Sequence, residues 1–150
     1  MNRINHTDHI MRILTFANRK GGVSKTSSVW AIGACLAHAG YRVLLIDADS
    51  QGNLTRCLPI VSPDKSLTML IENDSTLAQV MQPIGEKLWV VTSTESLVAA
   101  EKALGSDISY PFLFKNALDG LDRLVDYVLI DTPPTPNSPL TLAEIGRAHV

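Results

Sequence analysis

Asn18-Arg19-Lys20-Gly21-Gly22-Val23-Ser24-Lys25-Thr26 stands between a short apolar run and a helical repeat, and its reading decides the fold. Before it, Arg12 to Ala17 carries Ile13, Leu14 and Phe16 and reads as a short strand. After it, Val29, Ile32, Gly33, Leu36 and Ala37 recur at helical spacing, so Lys25 to Ala39 reads as a helix whose apolar stripe faces a sheet. Gly40 is the expected helix stop. A strand, a glycine turn and a helix start in this order gather backbone N–H groups around a space suited to a polyanion. Lys25 adds a point charge where outer phosphates lie, the Thr26 hydroxyl is placed to ligate magnesium, and Ser27 to reach inner phosphate oxygens. The plainer reading makes Gly21-Gly22 an ordinary turn and Lys25 a solvated side chain. A lysine at a helix start is unfavourable unless an anion is close, which weighs against it.

Working outward, Val43-Leu44-Leu45-Ile46 is a continuous apolar run of the kind buried on both faces of a parallel sheet. It passes into the polar segment Asp47-Ala48-Asp49-Ser50-Gln51-Gly52-Asn53. The stretch from Leu54 to Glu86 is less legible, with helical fragments at Ser66 to Ile71 and Leu77 to Met81. Leu88 to Val91 is a third buried strand with a loop through Thr92 to Ser96, and Phe112 to Leu124 has helical spacing. Val125 to Ile130 is a fourth strand, closed by Asp131-Thr132-Pro133-Pro134. Strand, polar loop and helix alternate, which predicts an α/β fold with a parallel, doubly wound sheet. Ligands of such sheets bind beyond the carboxyl ends of the strands, so the loops carrying Lys25, Asp47, Asp49 and Asp131 should open on one edge.

Bulk properties narrow the classes. With 45% apolar and 19% charged residues, the chain has an ordinary globular composition. Its 13 basic and 15 acidic side chains are interspersed, giving a formal charge of -2 and no basic stripe that announces nucleic acid. No apolar run approaches the roughly 18 residues that span a bilayer. The first ten residues lack the apolar stretch of a secretory signal, so a cytoplasmic address is expected. Cys35 and Cys57 make no disulfide framework, and Cys35 is expected to be a small buried hydrophobe. His6 and His9 lack companion ligands and make a poor metal site.

The segment from Asn18 to Thr26 resembles the deviant Walker A loop of the ParA/MinD ATPases, with Lys20 as that family's additional lysine. The strict P-loop pattern has glycine where this chain has Arg19 and Ser24, and Ser24 must fit a crowded turn beside Lys25. Asp47 to Asn53 is similar to the family's Asp-x-Asp followed by Pro-Gln-Gly-Asn, with Ser50 in place of the proline. By that likeness Asp49 matches the aspartate that orients the attacking water, and Asp47 the acid supporting the magnesium shell. Asp131 matches the Walker B carboxylate that binds magnesium through water, and Pro133 and Pro134 resemble the switch sensing the terminal phosphate. Gln51-Gly52-Asn53 favours the plasmid and chromosome partition branch.

The resemblance covers Arg12 to about Leu142 and implies a P-loop NTPase-type domain of which residues 12–144 form the amino-terminal portion. It implies ATP and Mg2+ as cofactors, with Gly21, Gly22, Val23, Ser24, Lys25, Thr26 and Ser27 binding the nucleotide. Lys20, Lys25 and Asp49 take the catalytic roles, and Thr26, Asp47 and Asp131 the metal roles. It further implies a homodimer in the ATP-bound state, Lys20 reaching into the partner's site, a ParB-type activator, nonspecific DNA and association with the nucleoid. Two alternatives stand beside the partition ATPase: a MinD-like membrane-positioning ATPase, which an amphipathic helix would mark, and a nonhydrolytic nucleotide-binding regulator or scaffold, suggested by Ser24. The arsenite-pump ATPases, nitrogenase iron protein and bacterial tyrosine kinases share much of the loop chemistry. An iron–sulfur site is disfavoured because the later strand loops carry no cysteine pair.

Both ends read differently from the middle. Residues 1–11 are polar and aperiodic, as in a flexible extension or an upstream start with Met11 as the initiator. Ile145-Gly146-Arg147-Ala148-His149-Val150 matches the translation of a common sequencing adapter, which places the end of the authentic sequence near Glu144.

Overall fold

β2 (Val43–Asp47) is buried at every position, because it runs through the middle of a sheet with helices on both faces. The computed structural model describes residues 10–18, 20, 22, 24–59, 62, 64–72, 75–104 and 113–134. β1 (Arg12–Phe16) precedes α1 (Lys25–His38), and β2 is followed by α2 (Asn53–Arg56), α3 (Leu67–Ile71) and α4 (Leu77–Val80). Then come β3 (Gln82–Gly85), β4 (Leu88–Val91), α5 (Leu97–Leu104), α6 (Leu113–Leu118), a 3-10 turn (Leu121–Arg123) and β5 (Tyr127–Asp131). The five strands lie in the order β1-β5-β2-β4-β3. β1, β5, β2 and β4 are parallel, with Leu44 opposite Val128 and Trp89.

Alternate side chains of β2 serve opposite faces. Val43 and Leu45 join Val29 of α1 in one apolar cluster, while Leu44 and Ile46 join residues of α3, α4 and α5 in the other. This is the doubly wound α/β arrangement expected, with one difference: β3 is an additional strand, antiparallel to β4. Gln82-Pro83-Ile84-Gly85 has proline and glycine, which are depleted in strands, and the sheet accepts them because β3 is an edge.

α1 ends as its glycine requires. Gly40 has φ +97°, its N–H donates to the Ala37 carbonyl at 2.9 Å, and the Tyr41 N–H donates to the Leu36 carbonyl at 3.1 Å. Those paired bonds close the last turn. Val29 and Gly33 form the buried centre of the α1 stripe, with Leu36 and Ala37 packed beside them. Ile32 and Cys35 depart from expectation: Ile32 is 39% exposed and Cys35 is exposed. At 100° per residue, both project away from the line through Val29 and Gly33 that meets the sheet.

The helix expected over Phe112 to Leu124 is interrupted. α6 stops at Leu118, Gly120 turns the chain at φ +88°, and only the 3-10 turn follows. Asp119-Gly120 breaks the repeat, since glycine enters the left-handed region without a Cβ penalty. At the opposite edge from the polar loops, the Arg42 guanidinium donates to both carboxylate oxygens of Asp126, at 2.6 Å from Nη2 to Oδ1, and to the Arg123 carbonyl. This fork joins the starts of β2 and β5, and sequence reading missed it. Residues 1–9, Arg19, Gly21, Val23 and the segment 135–150 lie outside the described residues, as do the expectations attached to them. No described helix is long and apolar enough to cross a membrane.

Candidate functional site

Parallel pairing sets Phe16, Asp47 and Asp131 level at the carboxyl ends of β1, β2 and β5. The loop after β1 therefore reaches the same edge as the loops after β2 and β5. In it, the Lys20 N–H donates to Asn18 Oδ1 at 2.9 Å, and Lys25 Nζ donates to the Asn18 carbonyl at 3.4 Å. Gly22 has φ +72°, and a Cβ there would meet nothing within 4 Å, so the glycine serves the backbone turn rather than close packing. Ser24 is the residue that enters α1, at φ 61°, without a side-chain cap bond. The crowded turn expected beside Lys25 is thus a left-handed conformation held by a residue with a Cβ.

The first turn of α1 meets β5 through one short bond: Thr26 Oγ1 donates to Asp131 Oδ2 at 2.6 Å. Asp131 is buried, and its Oδ1 has no hydrogen-bond partner among the described residues. Burial raises the Asp131 carboxyl above the usual range, the Thr26 bond opposes this, Asp49 raises it further and Lys25 lowers it. A hydroxyl and a lone buried carboxylate oxygen are hard oxygen donors, and an acceptor with no protein donor is suited to a cation. The residues therefore fit magnesium. No group of three or more His, Cys, Asp or Glu that could hold a metal occurs among the described residues.

Asp47 and Asp49 leave β2 together but do different things. Asp47 is fully buried, and its Oδ2 accepts from Thr55 N at 2.8 Å and Thr55 Oγ1 at 2.7 Å, while Oδ1 accepts from Asp49 N at 3.2 Å. Thr55 Oγ1 in turn accepts from the Ser93 N–H at 3.0 Å, tying α2 to the ends of β2 and β4. Burial is the largest influence on Asp47 and raises its pKa to about 6 against the Thr55 bonds. Asp49 instead faces a cavity, its Oδ1 held by the Gln51 N–H at 2.9 Å.

That cavity encloses about 560 Å³. Gly22, Ser24, Lys25, Thr26 and Ser27 form one wall, and Asp49 and Gln51 face them. Thr132 and Pro134 also line it, with Thr132 Oγ1 fastened to the Phe16 carbonyl at 2.8 Å. Of the residues singled out from sequence, Lys20 is exposed and outside the lining, and Asp47 and Asp131 are buried and do not line the cavity, Asp131 joining it through its bond to Thr26. Sequence reading missed Asn53, Arg56 and Cys57 as lining residues. They reach it because the chain turns at Gly52 and carries the acidic loop directly into α2, a placement that no spacing within Asn53 to Arg56 announces.

Residues 11–144 match a family described as AAA domain. The chain is 37% identical over 127 residues to the sporulation initiation inhibitor protein Soj of Bacillus subtilis, covering 83% of this chain and 50% of that protein. It superposes with a TM-score of 0.85 on cobyrinic acid a,c-diamide synthase of Mycobacterium smegmatis with a bound ATP analogue and magnesium, at 37% identity, covering 93% of this chain and 58% of the other. With an ATP complex of McdA from Cyanothece the TM-score is 0.84 at 30% identity, covering 92% of this chain and 54% of the other. The chain thus spans about half the length of these relatives.

Proposed function

Because the chain belongs to the ParA/MinD family of deviant Walker A ATPases, partition branch included, we propose that it is the nucleotide-binding portion of a partition ATPase driven by MgATP. One observation carries this reading: the 2.6 Å bond from Thr26 to Asp131 at the start of α1, with the second Asp131 oxygen buried and lacking a donor among the described residues. Gly22 and the first turn of α1, from Ser24 to Ser27, offer backbone N–H groups to the phosphates, and Lys25 offsets the charge on the transferring group. Thr26 and Asp131 hold the metal, while Asp47 supports that shell from behind by fixing the Asp49 N–H and α2. When bound, magnesium supplies charge neutralisation across the phosphate oxygens. Asp49, turned by its bond to the Gln51 N–H, orients water for in-line attack. Lys20 reaches into a partner's site in the ATP-bound homodimer, and hydrolysis releases that dimer and changes its hold on nonspecific DNA, with a ParB-type activator.

Calorimetric titration of MgATP together with phosphate-release kinetics tests this. Lys25→Ala should lose binding, whereas Asp49→Ala should keep binding and lose hydrolysis; loss of binding in both would remove the water-orienting role from Asp49. Ser24 favours a second reading, a nonhydrolytic nucleotide binder, because a residue with a Cβ is held in the left-handed region beside Lys25. MgATP binding without phosphate release, with Ser24→Gly restoring release, would select that reading.

A further inference from the structure

We infer that Arg56 reads the terminal phosphate of the nucleotide, an assignment that rests on the nucleotide-binding function proposed above. Arg56 closes α2 and lines the same cavity as Lys25, Thr26 and Asp49, facing them from the segment after β2. The structure records no hydrogen bond or ion pair of its guanidinium among the described residues. Arg42 shows the contrast, since its guanidinium is taken up by Asp126 and the Arg123 carbonyl. A guanidinium presents a planar fork of donors matched to phosphate oxygens, and an unpaired one on a cavity wall is positioned to take an anion.

The place of Arg56 is fixed by its neighbour. Thr55 donates twice to buried Asp47 and accepts from the Ser93 N–H, so α2 is anchored at the residue preceding Arg56. The Arg56 N–H also closes the helical turn onto the Gly52 carbonyl at 2.9 Å. A charge on an anchored turn loses less freedom on meeting a ligand than one on a loose loop. Phosphates collect at the start of α1, and Arg56 lines that cavity together with Asp49, the residue to which the proposed function gives the water beside the terminal phosphate. It therefore addresses the terminal phosphate and distinguishes a nucleoside triphosphate from a diphosphate.

Calorimetric titration of the 150-residue chain and of Arg56→Gln and Arg56→Lys with MgATP and MgADP tests this. Arg56→Gln should weaken MgATP about tenfold and MgADP less than about threefold, the loss expected of one charge-assisted bond to the outer phosphate. Arg56→Lys, which keeps charge without the fork, should fall between. Equal losses for both nucleotides, or none, while the parent chain binds MgATP, would overturn the assignment and leave the proposed function standing. A parent chain that binds neither nucleotide would overturn both. Melting temperatures without nucleotide should be the same for all three proteins; a fall in Arg56→Gln alone with unchanged affinity ratio would make Arg56 structural and also overturn it.

Discussion

Asp47 is a carboxyl group buried where water cannot reach it, yet it accepts bonds from Thr55 and Asp49 N. The two influences oppose one another, and burial prevails, raising its pKa to about 6. An unfolded aspartate titrates near 3.9, so between these values the folded chain holds a proton that the unfolded chain releases. Its contribution to stability is complete below about 4 and is lost as pH rises through about 6, by on the order of 3 kcal/mol. Asp47→Asn keeps an acceptor for Thr55 and removes the titration. Without metal or nucleotide, the variant should therefore gain stability relative to the parent as pH rises from 4 to 7, read as the difference between their urea midpoints. Parallel midpoint curves would show that Asp47 does not titrate in this window. The acidic residue was legible because it follows a continuous apolar run. Its engagement with Thr55 was not, because that bond depends on a left-handed turn at Gly52 (φ 61°), after which α2 turns back onto β2.

At the scale of elements, α1 meets β2 through a glycine. A Cβ on Gly33 would lie 2.5 Å from Leu45 Cδ2, and Leu45 is fully buried among the strands. At that distance something must shift, and in a close-packed core either the leucine leaves its rotamer or the helix moves off the sheet. Gly33→Val should lower the unfolding free energy by about 1–3 kcal/mol, the range for overpacking, even though glycine is a poor helix former. Chemical denaturation reads this directly; an unchanged midpoint would mean that α1 floats on the sheet. The stripe containing Gly33 was visible in the spacing from Val29 to Ala37, as were β1, β2, β4 and β5 in their apolar runs. β3 escaped because Pro83 and Gly85 suppress every strand signal and only its edge position tolerates them. The division of the expected helix at Gly120 was hidden by apolar spacing that continues through it, though the glycine itself stood in plain view.

Across the whole molecule, the site is assembled by residues far apart in sequence, so occupation and folding must be linked. Thr26 and Asp131 are 105 positions apart and touch only because β1, β5 and β2 pair in parallel register. The phosphate loop was readable because its chemistry is local, with Lys25 and Thr26 adjacent to the glycines. Arg56 was not, because only the fold brings α2 to face that loop. A ligand that bridges these walls binds the native sheet and not the unfolded chain, and stabilises it by about 2.7 kcal/mol at a hundred times its dissociation constant. MgATP should accordingly raise the melting temperature of the chain in a concentration-dependent way. Lys25→Ala should abolish the rise, whereas Asp49→Ala should retain it, because the water-orienting carboxylate is not needed to hold phosphate. A melting temperature that stays level at saturating MgATP would show that the assembled edge does not take the nucleotide. A rise preserved in Lys25→Ala would show that the nucleotide is held somewhere other than at the start of α1.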